Sequence, residues 1–333
     1  IAGPCAAESE VQVLTTARAL AQMGVRVFRA GLWKPRTKPF NFEGVGAEGL
    51  LWLQKVRKET GMLVATEVAT AEHVELALKH HIDIVWIGAR TTTNPFAVQE
   101  VADALRGVPE LTVLVKNPVS PDLDLWVGAL ERLQNVGVTQ IAAIHRGFAS
   151  YQNKIYRNAP HWSIPIELKR LFPDLPLLCD PSHIGGKREL VATLAQQAMD
   201  LNFNGLFVES HCCPDNAKSD AAQQITPQEL KITLDKLIVR KSQHSTEKIV
   251  QMRRQIDEID DNLLNLLQQR MKISDEIGAF KKAHNMPVLQ QQRYDEILEK
   301  RLPQASEMGL SPAFVKKIFE DIHEQSVERQ IRF

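Results

Sequence analysis

The chain has 333 residues, more than an average single domain needs, so we expect a second domain. Forty basic and forty acidic side chains give a formal net charge of zero, which argues against nucleic acid and membrane surfaces as partners. The sequence lacks apolar stretches near the roughly 20 residues of a membrane span, and its four cysteines are too few for a disulfide framework, so we expect a cytoplasmic protein. Ile1 opens inside the first predicted strand without a starting methionine, and we expect further residues upstream.

Eight short apolar runs of strand length divide the first 240 residues, at 1–3, 25–28, 62–66, 82–87, 111–115, 141–144, 175–179 and 205–208. Helix-length segments separate them, at 10–23, 48–60, 71–80, 95–106, 123–136, 165–171 and 187–201. An eighth helix follows Thr226, with Pro227 and Glu229 in its first turn. Alternating strands and helices predict a parallel sheet, and eight such units close into a (β/α)8 TIM barrel, which we assign to residues 1–240.

An ionisable residue lies at or just past the C-terminal end of each apolar run. These residues are Cys5, Arg29, Glu67, Arg90, Lys116, His145 with Arg146, Asp180 with His183, and Glu209. In a (β/α)8 barrel, functional residues collect on the rim that the carboxyl ends of the strands form. The pattern therefore predicts an active site at this rim.

Four of the rim residues predict a metal site: Cys5, His183, Glu209 and Asp220. Together they offer one sulfur, one nitrogen and carboxylate oxygens, a mixed set that suits Mn, Fe, Co or Zn and disfavours Mg or Ca. Three of them also have a structural interpretation, as a small core residue (Cys5), a loop hydrogen-bonding group (His183) or a helix cap (Asp220). Cys212 and Cys213 compete as thiol ligands, but adjacent residues on an extended loop face opposite ways.

Basic residues also converge on the rim: Arg29, Lys34, Arg36, Arg90, Lys116 and Arg146, with Lys187 and Arg188 nearby. So many cations at one mouth repel one another unless an anion neutralises them, so we expect a substrate with several negative charges. Arginine binds carboxylate and phosphate in bidentate fashion, which favours phosphorylated acids. Gly185-Gly186, before a predicted helix, suggests an anion-binding helix start.

Residues 1–240 resemble 3-deoxy-D-arabino-heptulosonate 7-phosphate (DAHP) synthases of the short type I-beta kind. The motifs are Gly3-Pro4-Cys5, Arg29 followed by Lys34-Pro35-Arg36-Thr37, Gly88-Ala89-Arg90, Asp180-Pro181-Ser182-His183 and Ser219-Asp220. The related synthase of the eight-carbon sugar Kdo shares the barrel and the phosphoenolpyruvate site. The run from Lys34 to Thr37 favours the seven-carbon enzyme, because that family uses it to hold erythrose 4-phosphate.

The resemblance implies a divalent metal, with manganese as first choice and iron, cobalt or zinc as alternatives, on Cys5, His183, Glu209 and Asp220. It implies phosphoenolpyruvate binding by Arg29, Lys34, Arg90, Lys116 and Arg146, and erythrose 4-phosphate binding by Lys34, Pro35, Arg36, Thr37 and Asp220. Phosphoenolpyruvate would condense with the aldehyde to give DAHP and phosphate, with Glu67 handling the attacking water. Asn117-Pro118 follows Lys116 where several relatives have glycine, which could alter the loop but keeps the lysine.

A different pattern begins after the polar residues 241–246, which we assign as a linker. Apolar residues repeat every seven positions, at Ile249, Ile256, Leu263 and Ile277 and at Met252, Ile259, Leu266, Ile273 and Phe280. This predicts a helix of about 40 residues that needs a partner helix and ends by Pro287. Helices at about 291–302 and 312–332 complete an all-α three-helix domain, 247–333. Three helices of such unequal length cannot close a core, so we expect a homodimer or higher oligomer of intertwined chains.

Arg270 interrupts this apolar seam. It could simply fix register or oligomeric state. Lys281, eleven residues later, faces almost the same way at about 100° per residue, so the two cations instead suggest an internal anion site. Arg253 precedes Arg270 by seventeen residues, about 25 Å along a helix, so the second subunit would have to supply it.

Residues 247–330 resemble the all-helical chorismate mutases, on Arg253, Arg270, Lys281, Arg293, Ser326 and Gln330. The resemblance implies a Claisen rearrangement of chorismate to prephenate in an intertwined dimer. Arg270 and the partner subunit's Arg253 would clamp the carboxylates, and Lys281 and Gln330 would donate to the ether oxygen. Gln290 and Tyr294 stand where many members carry acidic residues for the substrate hydroxyl, and both can still form hydrogen bonds.

Together the two resemblances predict a bifunctional enzyme of the shikimate pathway, with feedback inhibition by prephenate or chorismate through the helical domain. One alternative keeps the barrel as the enzyme and makes the helical domain a dimerisation and ligand-sensing module. Another, a purely structural coiled coil, leaves Arg270, Lys281 and Gln330 unexplained.

Overall fold

Nine parallel strand segments form one sheet in the first part of the chain. They are β1 (Ala2–Gly3), β2 (Val27–Arg29), β3 (Leu63–Val68), β4 (Ile84–Ile87), β5 (Thr112–Lys116), β6 (Ile141–His145), β7 (Leu177–Cys179), β8 (Gly205–Leu206) and β9 (Val208–Glu209). Consecutive strands pair from β1 to β8, and β9 pairs with β1. β8 and β9 are two halves of the eighth predicted strand, joined through Phe207, so the predicted TIM barrel is confirmed with an interruption at one residue.

The chain divides into two compact units, Ile1–Lys241 and Ser242–Phe333. The computed structural model describes residues 1–35, 41–150, 155–240, 247–289 and 291–332. Arg36, Thr37, Gln290 and the predicted linker 241–246 lie outside the described residues. None of the described helices is both long enough and apolar enough to cross a membrane.

Helices follow the strands of the barrel: α1 (Glu10–Gln22), α2 (Glu48–Thr60), α3 (Ala71–Lys79), α4 (Ala89–Thr92), α5 (Pro95–Ala104), α6 (Leu123–Asn135), α7 (Ser163–Leu171), α8 (Pro181–Gly185), α9 (Val191–Asp200) and α10 (Pro227–Lys236). Helix α6 shows how the sequence places them. Asp122 caps its first turn, and Trp126, Ala129, Leu130 and Leu133 are buried at helical spacing. Burying such a side chain contributes roughly 1.5–3 kcal/mol, so this face fixes the helix against the sheet.

Alternation along the strands divides the core into two layers. In β4, Val85 and Ile87 pack in the layer between sheet and helices, whereas Ile84 and Trp86 point into the barrel. The barrel interior is filled by Ala65, Ile84, Trp86, Leu114, Ala142, Ile144 and Phe207. This apolar floor closes the barrel below the rim.

The second unit consists of α11 (Glu247–Ala283), α12 (Gln291–Glu307) and α13 (Pro312–Ile331), with α13 packed against both other helices. The prediction that α12 ends at 302 was wrong, because the helix continues through Pro303. The extra turn buries Ala305, whose carbonyl accepts a hydrogen bond from the Leu310 amide. Packing of this turn therefore outweighs the backbone hydrogen bond that proline cannot make.

Candidate active site

The predicted rim residues come together around one polar cavity at the carboxyl end of the barrel. Its lining comprises Lys34, Pro35, Glu67, Gly88, Ala89, Arg90, Lys116, Arg146, Arg157, His183 and Asp220. Strands β3 and β5 and the segments that follow β2, β4, β6, β7 and β9 each supply part of this lining. The sequence analysis had placed the ionisable residues of this lining at the rim, except Arg157.

Three of the four predicted metal ligands form a tight group. Donor atoms of Cys5, Glu209 and Asp220 lie within 4.8 Å of one another, and Cys5 Sγ is 3.4 Å from Asp220 Oδ2. His183 lies beside the group, with Nδ1 3.7 Å from Glu209 Oε1. Oε1 of Glu209 is buried, accepts no hydrogen bond within the described residues, and lies 3.3 Å from Nη2 of Arg29. The group has the donor chemistry that a divalent transition metal requires.

Two residues of this group carry a conformational or ionisation cost. Asp220 adopts a left-handed backbone conformation, with φ 50°, which costs a residue with a side chain roughly 1–2 kcal/mol. Burial raises the pKa of the Cys5 thiol to about 12. Such costs persist only where surrounding contacts hold the residues in place, and they cluster at functional sites. Cys212 contacts Gln12 and His211 instead, and no grouping of ligand atoms among the described residues includes it or Cys213.

Asp180 connects the metal ligands to the cations. Its Oδ2 lies 2.8 Å from Nδ1 of His183 and accepts a hydrogen bond from Nζ of Lys116 at 3.0 Å. Burial alone would raise the pKa of Asp180, but the charges of His183 and Lys116 lower it well below its ordinary value. The ionised carboxylate orients the imidazole, as carboxylates commonly do for histidines that bind metals.

Arg29 lies below the cavity, fully buried within the barrel. Its guanidinium carbon is 4.9 Å from the Trp86 ring centroid and 4.5 Å from that of Phe207. Nη2 is 3.3 Å from Oε1 of Glu209, whereas Nε and Nη1 make no hydrogen bond within the described part of the chain. Buried N–H groups without acceptors are costly, so Arg29 is prepared to receive an anion.

Arg146 is held by two asparagines. Its Nη1 donates to Asn158 Oδ1 at 2.8 Å, and its amide donates to Asn117 Oδ1 at 2.7 Å. Asn117 also donates to the carbonyls of Pro118 and Gly147 at 2.8 and 2.9 Å. Asn117, which stands where several relatives have glycine, therefore links the ends of β5 and β6 and fixes Arg146 between them. Burial lowers the pKa of Arg146 to about 10, so it stays charged at neutral pH.

The motif Gly88-Ala89-Arg90 has a steric origin in the structure. A Cβ at position 88 would overlap the carboxylate of Glu67, so glycine lets Glu67 reach the cavity. Lys34 lies over Gly31 in the same way, and a side chain there would strike Nζ of Lys34. Burial of Lys34 opposes its ionisation, but the nearby Cys5 and Glu67 raise its pKa above the ordinary value.

Sequence reasoning missed Arg157 and Gln223, which contact the metal-ligand carboxylates, and Asn158, which contacts Arg146. Arg157 and Asn158 follow no strand, so the rule of ionisable residues after strand ends could not find them. The expectation that Gly185-Gly186 begins an anion-binding helix was wrong. Gly185 ends α8, and Gly186 is its left-handed cap, packed against Arg157.

The helical unit has a cavity of its own, lined by Arg270, Ile273, Ser274, Ile277, Lys281, Val288, Arg293, Ile297, His323, Ser326, Val327 and Gln330. Nη1 of Arg270 donates to Ser326 Oγ at 2.7 Å, and Nζ of Lys281 donates to Gln330 Oε1 at 3.1 Å. Burial lowers the pKa of both cations. Five predicted residues thus surround one cavity, to which the structure adds Ser274 and His323.

Two further predicted residues of this unit lie elsewhere. Arg253 is on the exposed first half of α11 and does not line the cavity of its own chain. Tyr294 stacks on His323, with ring centroids 4.4 Å apart. Tyr294 therefore supports a wall of the cavity through the histidine.

Residues 1–248 match the sequence profile of the DAHP synthetase I family. The chain belongs to this family. Residues 252–331 match the profile of chorismate mutase type II. The chain therefore joins a DAHP synthetase I barrel to a chorismate mutase type II helical region.

Individual relatives agree with this assignment. Phospho-2-dehydro-3-deoxyheptonate aldolase of Thermotoga maritima is 35% identical over 225 residues, which cover 68% of this chain and 64% of that protein. A crystal structure of the same enzyme has a TM-score of 0.64 at 31% identity, covering 71% of this chain and 66% of the other. The chain thus spans slightly less than two thirds of the Thermotoga protein. The 2-dehydro-3-deoxyphosphooctonate aldolase of Syntrophotalea carbinolica is 28% identical over 258 residues, or 72% of this chain and 88% of that enzyme.

Proposed function

We propose that the barrel condenses phosphoenolpyruvate with erythrose 4-phosphate to give DAHP and phosphate, with a divalent metal such as manganese on Cys5, His183, Glu209 and Asp220. The observation that carries this proposal is the position of the Cys5, Glu209 and Asp220 group beside a cavity lined by Lys34, Arg90, Lys116 and Arg146. Family membership supports the same reaction. A bound divalent metal would polarise the aldehyde oxygen as a Lewis acid.

The residues of the chain would bind and orient the two substrates. Arg90, Lys116 and Arg146 would hold the phosphate of phosphoenolpyruvate, and Arg29 and Lys34 would hold its carboxylate, so that C3 faces the aldehyde. Carbon C3 would then bond to the aldehyde carbon with the electron pair of its double bond, and the aldehyde oxygen would take up a proton to become a hydroxyl. Water adds at C2, and the bond between C2 and the phosphate oxygen breaks to release phosphate. Glu67, at the cavity wall, would take the proton of that water.

The aldose phosphate would enter from the mouth of the cavity. Lys34, Pro35 and Asp220 line this cavity. Arg36 and Thr37, which we propose for the aldose phosphate group, lie outside the described residues. The choice between a four-carbon aldose and a longer one depends on these residues, and a comparison of rates with erythrose 4-phosphate and arabinose 5-phosphate would establish it.

Removal of the metal tests the barrel proposal. We expect a chelator to lower the condensation rate roughly a thousandfold and added Mn²⁺ to restore it, because a metal ion contributes several kcal/mol to the stabilisation of such transition states. Cys5→Ser should prevent restoration, whereas Cys213→Ser, at an exposed cysteine, should leave it intact. Full activity of the chelated wild-type chain would contradict the ligand assignment.

We propose that the helical unit converts chorismate to prephenate within a homodimer. The cations Arg270, Lys281 and Arg293 around one cavity suit a dicarboxylate, and this pericyclic rearrangement needs no acid, base or nucleophile. Arg270 would grip one carboxylate and the partner subunit's Arg253 the other. Lys281 and Gln330 would donate to the ether oxygen as negative charge develops there, while Arg293, Ser326 and Gln290 complete the binding of the ligand.

The surface of α11 supports the dimer. Its first half is exposed on every side, including Ile249, Met252, Ile256, Ile259, Leu263 and Leu266. Contiguous apolar residues of this extent on a helix mark an interface. A second copy would bury them and bring its Arg253 to the cavity of the first chain.

Turnover separates this proposal from the ligand-sensing alternative. We expect the full chain to convert chorismate, whereas binding without turnover would favour a sensing module. We also propose that prephenate or chorismate inhibits the condensation, since the two sites share one chain. Inhibition that disappears in Arg270→Ala would support this proposal, and an unchanged condensation rate at saturating prephenate would contradict it.

A further inference from the structure

Two adjacent residues, Arg157 and Asn158, contact both halves of the proposed barrel site, which are the metal-ligand group and the cations proposed for phosphoenolpyruvate. Their backbone amides donate to the carbonyls of Gly185 and Ile184, each at 3.2 Å. The Asn158 side chain donates to the His183 carbonyl at 2.6 Å. The pair is therefore fixed to α8, the short helix that carries the predicted ligand His183.

Arg157 reaches the two carboxylates of the metal-ligand group. Its Nη1 donates to Asp220 Oδ1 at 3.0 Å and to Gln223 Oε1 at 2.6 Å. Gln223 in turn donates from Nε2 to Glu209 Oε2 at 2.6 Å. One guanidinium thus holds Asp220 directly and Glu209 through a buried amide.

These contacts occupy one oxygen of each carboxylate and leave the other toward the metal-ligand group. Asp220 Oδ2 faces the Cys5 thiol at 3.4 Å, and Glu209 Oε1 lies 3.7 Å from His183. Gly186 makes the approach possible, because a Cβ there would overlap Cβ of Arg157. Asp220 accepts this contact from a left-handed backbone conformation, with φ 50°.

Asn158 serves the other half of the site. Its Oδ1 accepts a hydrogen bond from Arg146 Nη1 at 2.8 Å, and the side chain is buried. Arg146 lines the cavity among the cations proposed for phosphoenolpyruvate. Neighbouring side chains of one segment therefore end on opposite halves of the site.

We propose that Arg157 and Asn158 are positioning residues, with Arg157 setting the metal-ligand carboxylates and Asn158 setting the phosphate-binding Arg146. The inference rests on the proposed metal and phosphoenolpyruvate sites. Arg157 should therefore affect the affinity for the metal ion, and Asn158 the affinity for phosphoenolpyruvate. A merely structural role would weaken both affinities together.

Calorimetric titration of the full chain tests this division. In metal-stripped protein, Arg157→Lys should weaken Mn²⁺ binding roughly tenfold to a hundredfold, as is usual for residues that orient metal ligands. Its affinity for phosphoenolpyruvate at saturating Mn²⁺ should stay within about twofold of wild type, because Arg146 keeps its partner. Asn158→Ala should weaken phosphoenolpyruvate binding at least about tenfold through the lost bond to a charged group, whereas Mn²⁺ affinity should stay within about twofold because the backbone amide of residue 158 still donates to Ile184 of α8. Arg18→Lys, which alters an exposed arginine paired with Glu59, is the matched control and should change neither affinity.

Contrary results have distinct meanings. Unchanged Mn²⁺ affinity in Arg157→Lys, with a raised KM for the aldose phosphate, would make Arg157 a substrate ligand and overturn the inference. Parallel losses of both affinities in each variant would also overturn it. Should Arg157→Lys fail to fold, Gln223→Leu must show the metal defect through Glu209 alone. Absence of Mn²⁺ binding by the wild-type chain would contradict the proposed metal site itself.

Discussion

The barrel and the helical unit distribute polarity in opposite ways. In the barrel, apolar side chains fill two layers of core, and the charged residues of the site collect at one end. In the helical unit, Lys281, Ser274 and Ser326 are buried while Leu263 and Ile259 are exposed. The barrel buries its apolar side chains within its own chain, so its charged residues can all lie at the rim. The helical unit instead exposes apolar side chains of α11, which in our proposal a second copy covers while supplying part of the site.

Substitution of Arg270 should produce the largest difference between the activities of the two regions. Arg270→Ala should lower the chorismate-to-prephenate rate roughly a hundredfold to a thousandfold, because a fixed donor to the reacting anion is lost. The condensation rate without effectors should not change. Lys272→Ala, an exposed cation two residues along α11, is the control. Equal mutase rates for the Arg270 variant and wild type, measured by loss of chorismate absorbance, would refute the proposed site.

Leu263 tests whether a second copy covers the helical seam. Its side chain is about half exposed, so covering the exposed half in each of two copies contributes roughly 1.5–3 kcal/mol, and an aspartate there would add the cost of burying a carboxylate. Leu263→Asp should therefore raise the dimer dissociation constant at least about a hundredfold by sedimentation velocity. The mutase rate should fall with it, because the partner subunit's Arg253 is lost. Asp261→Ala, on the same helix, should leave association intact, and a fully associated Leu263→Asp chain would count against the seam.

His145 makes the stability of the barrel depend on pH. The ring is fully buried, 5.2 Å from the Trp162 ring, and burial lowers its pKa to about 3. Below about pH 6.5 the unfolded chain takes up a proton that the folded chain excludes, so stability is lost as pH falls toward 3.

The free energy of unfolding in urea would measure this loss. Between pH 6.5 and 5 it should fall by about 2 kcal/mol through His145, and His145→Phe should remove that part. The exposed His81→Asn should keep the wild-type slope. An identical pH dependence in wild type and His145→Phe would show that the buried ring does not titrate as expected.

Asn117 should give the smallest effect. Asn117→Ala removes the acceptor of the Arg146 amide and two hydrogen bonds to loop carbonyls. We expect the KM for phosphoenolpyruvate to rise about fivefold to tenfold, since a hydrogen bond contributes roughly 1 kcal/mol, while the mutase rate stays constant. Asn135→Ala, at an exposed asparagine ending α6, is the control. A KM equal to that of wild type would remove Asn117 from the support of Arg146.

Strand ends explain why much of the site could be predicted. Cys5, Lys116 and Glu209 follow apolar runs, and parallel strands bring such ends to one rim whatever the loops do. The Arg157 contacts could not be predicted, because they depend on how a loop packs against α8. The break at Phe207 was also hidden, since the run 205–208 is uniformly apolar or glycine and shows no sign of two pairing partners.

Phe207 has a further consequence for the cations of the barrel site. Its ring lies 4.5 Å from the guanidinium carbon of Arg29 and 5.1 Å from Nζ of Lys116. The apolar barrel interior therefore keeps water from solvating these two cations on the side away from the cavity mouth. Asp180 and Glu209 pair with these two cations, and any further counter-charge must enter through the mouth of the cavity, so an anionic ligand bound there would stabilise the folded barrel. By mass action, a ligand at a hundred times its Kd would add about 2.7 kcal/mol to stability. The melting temperature of the barrel should accordingly report occupancy by phosphate-bearing compounds.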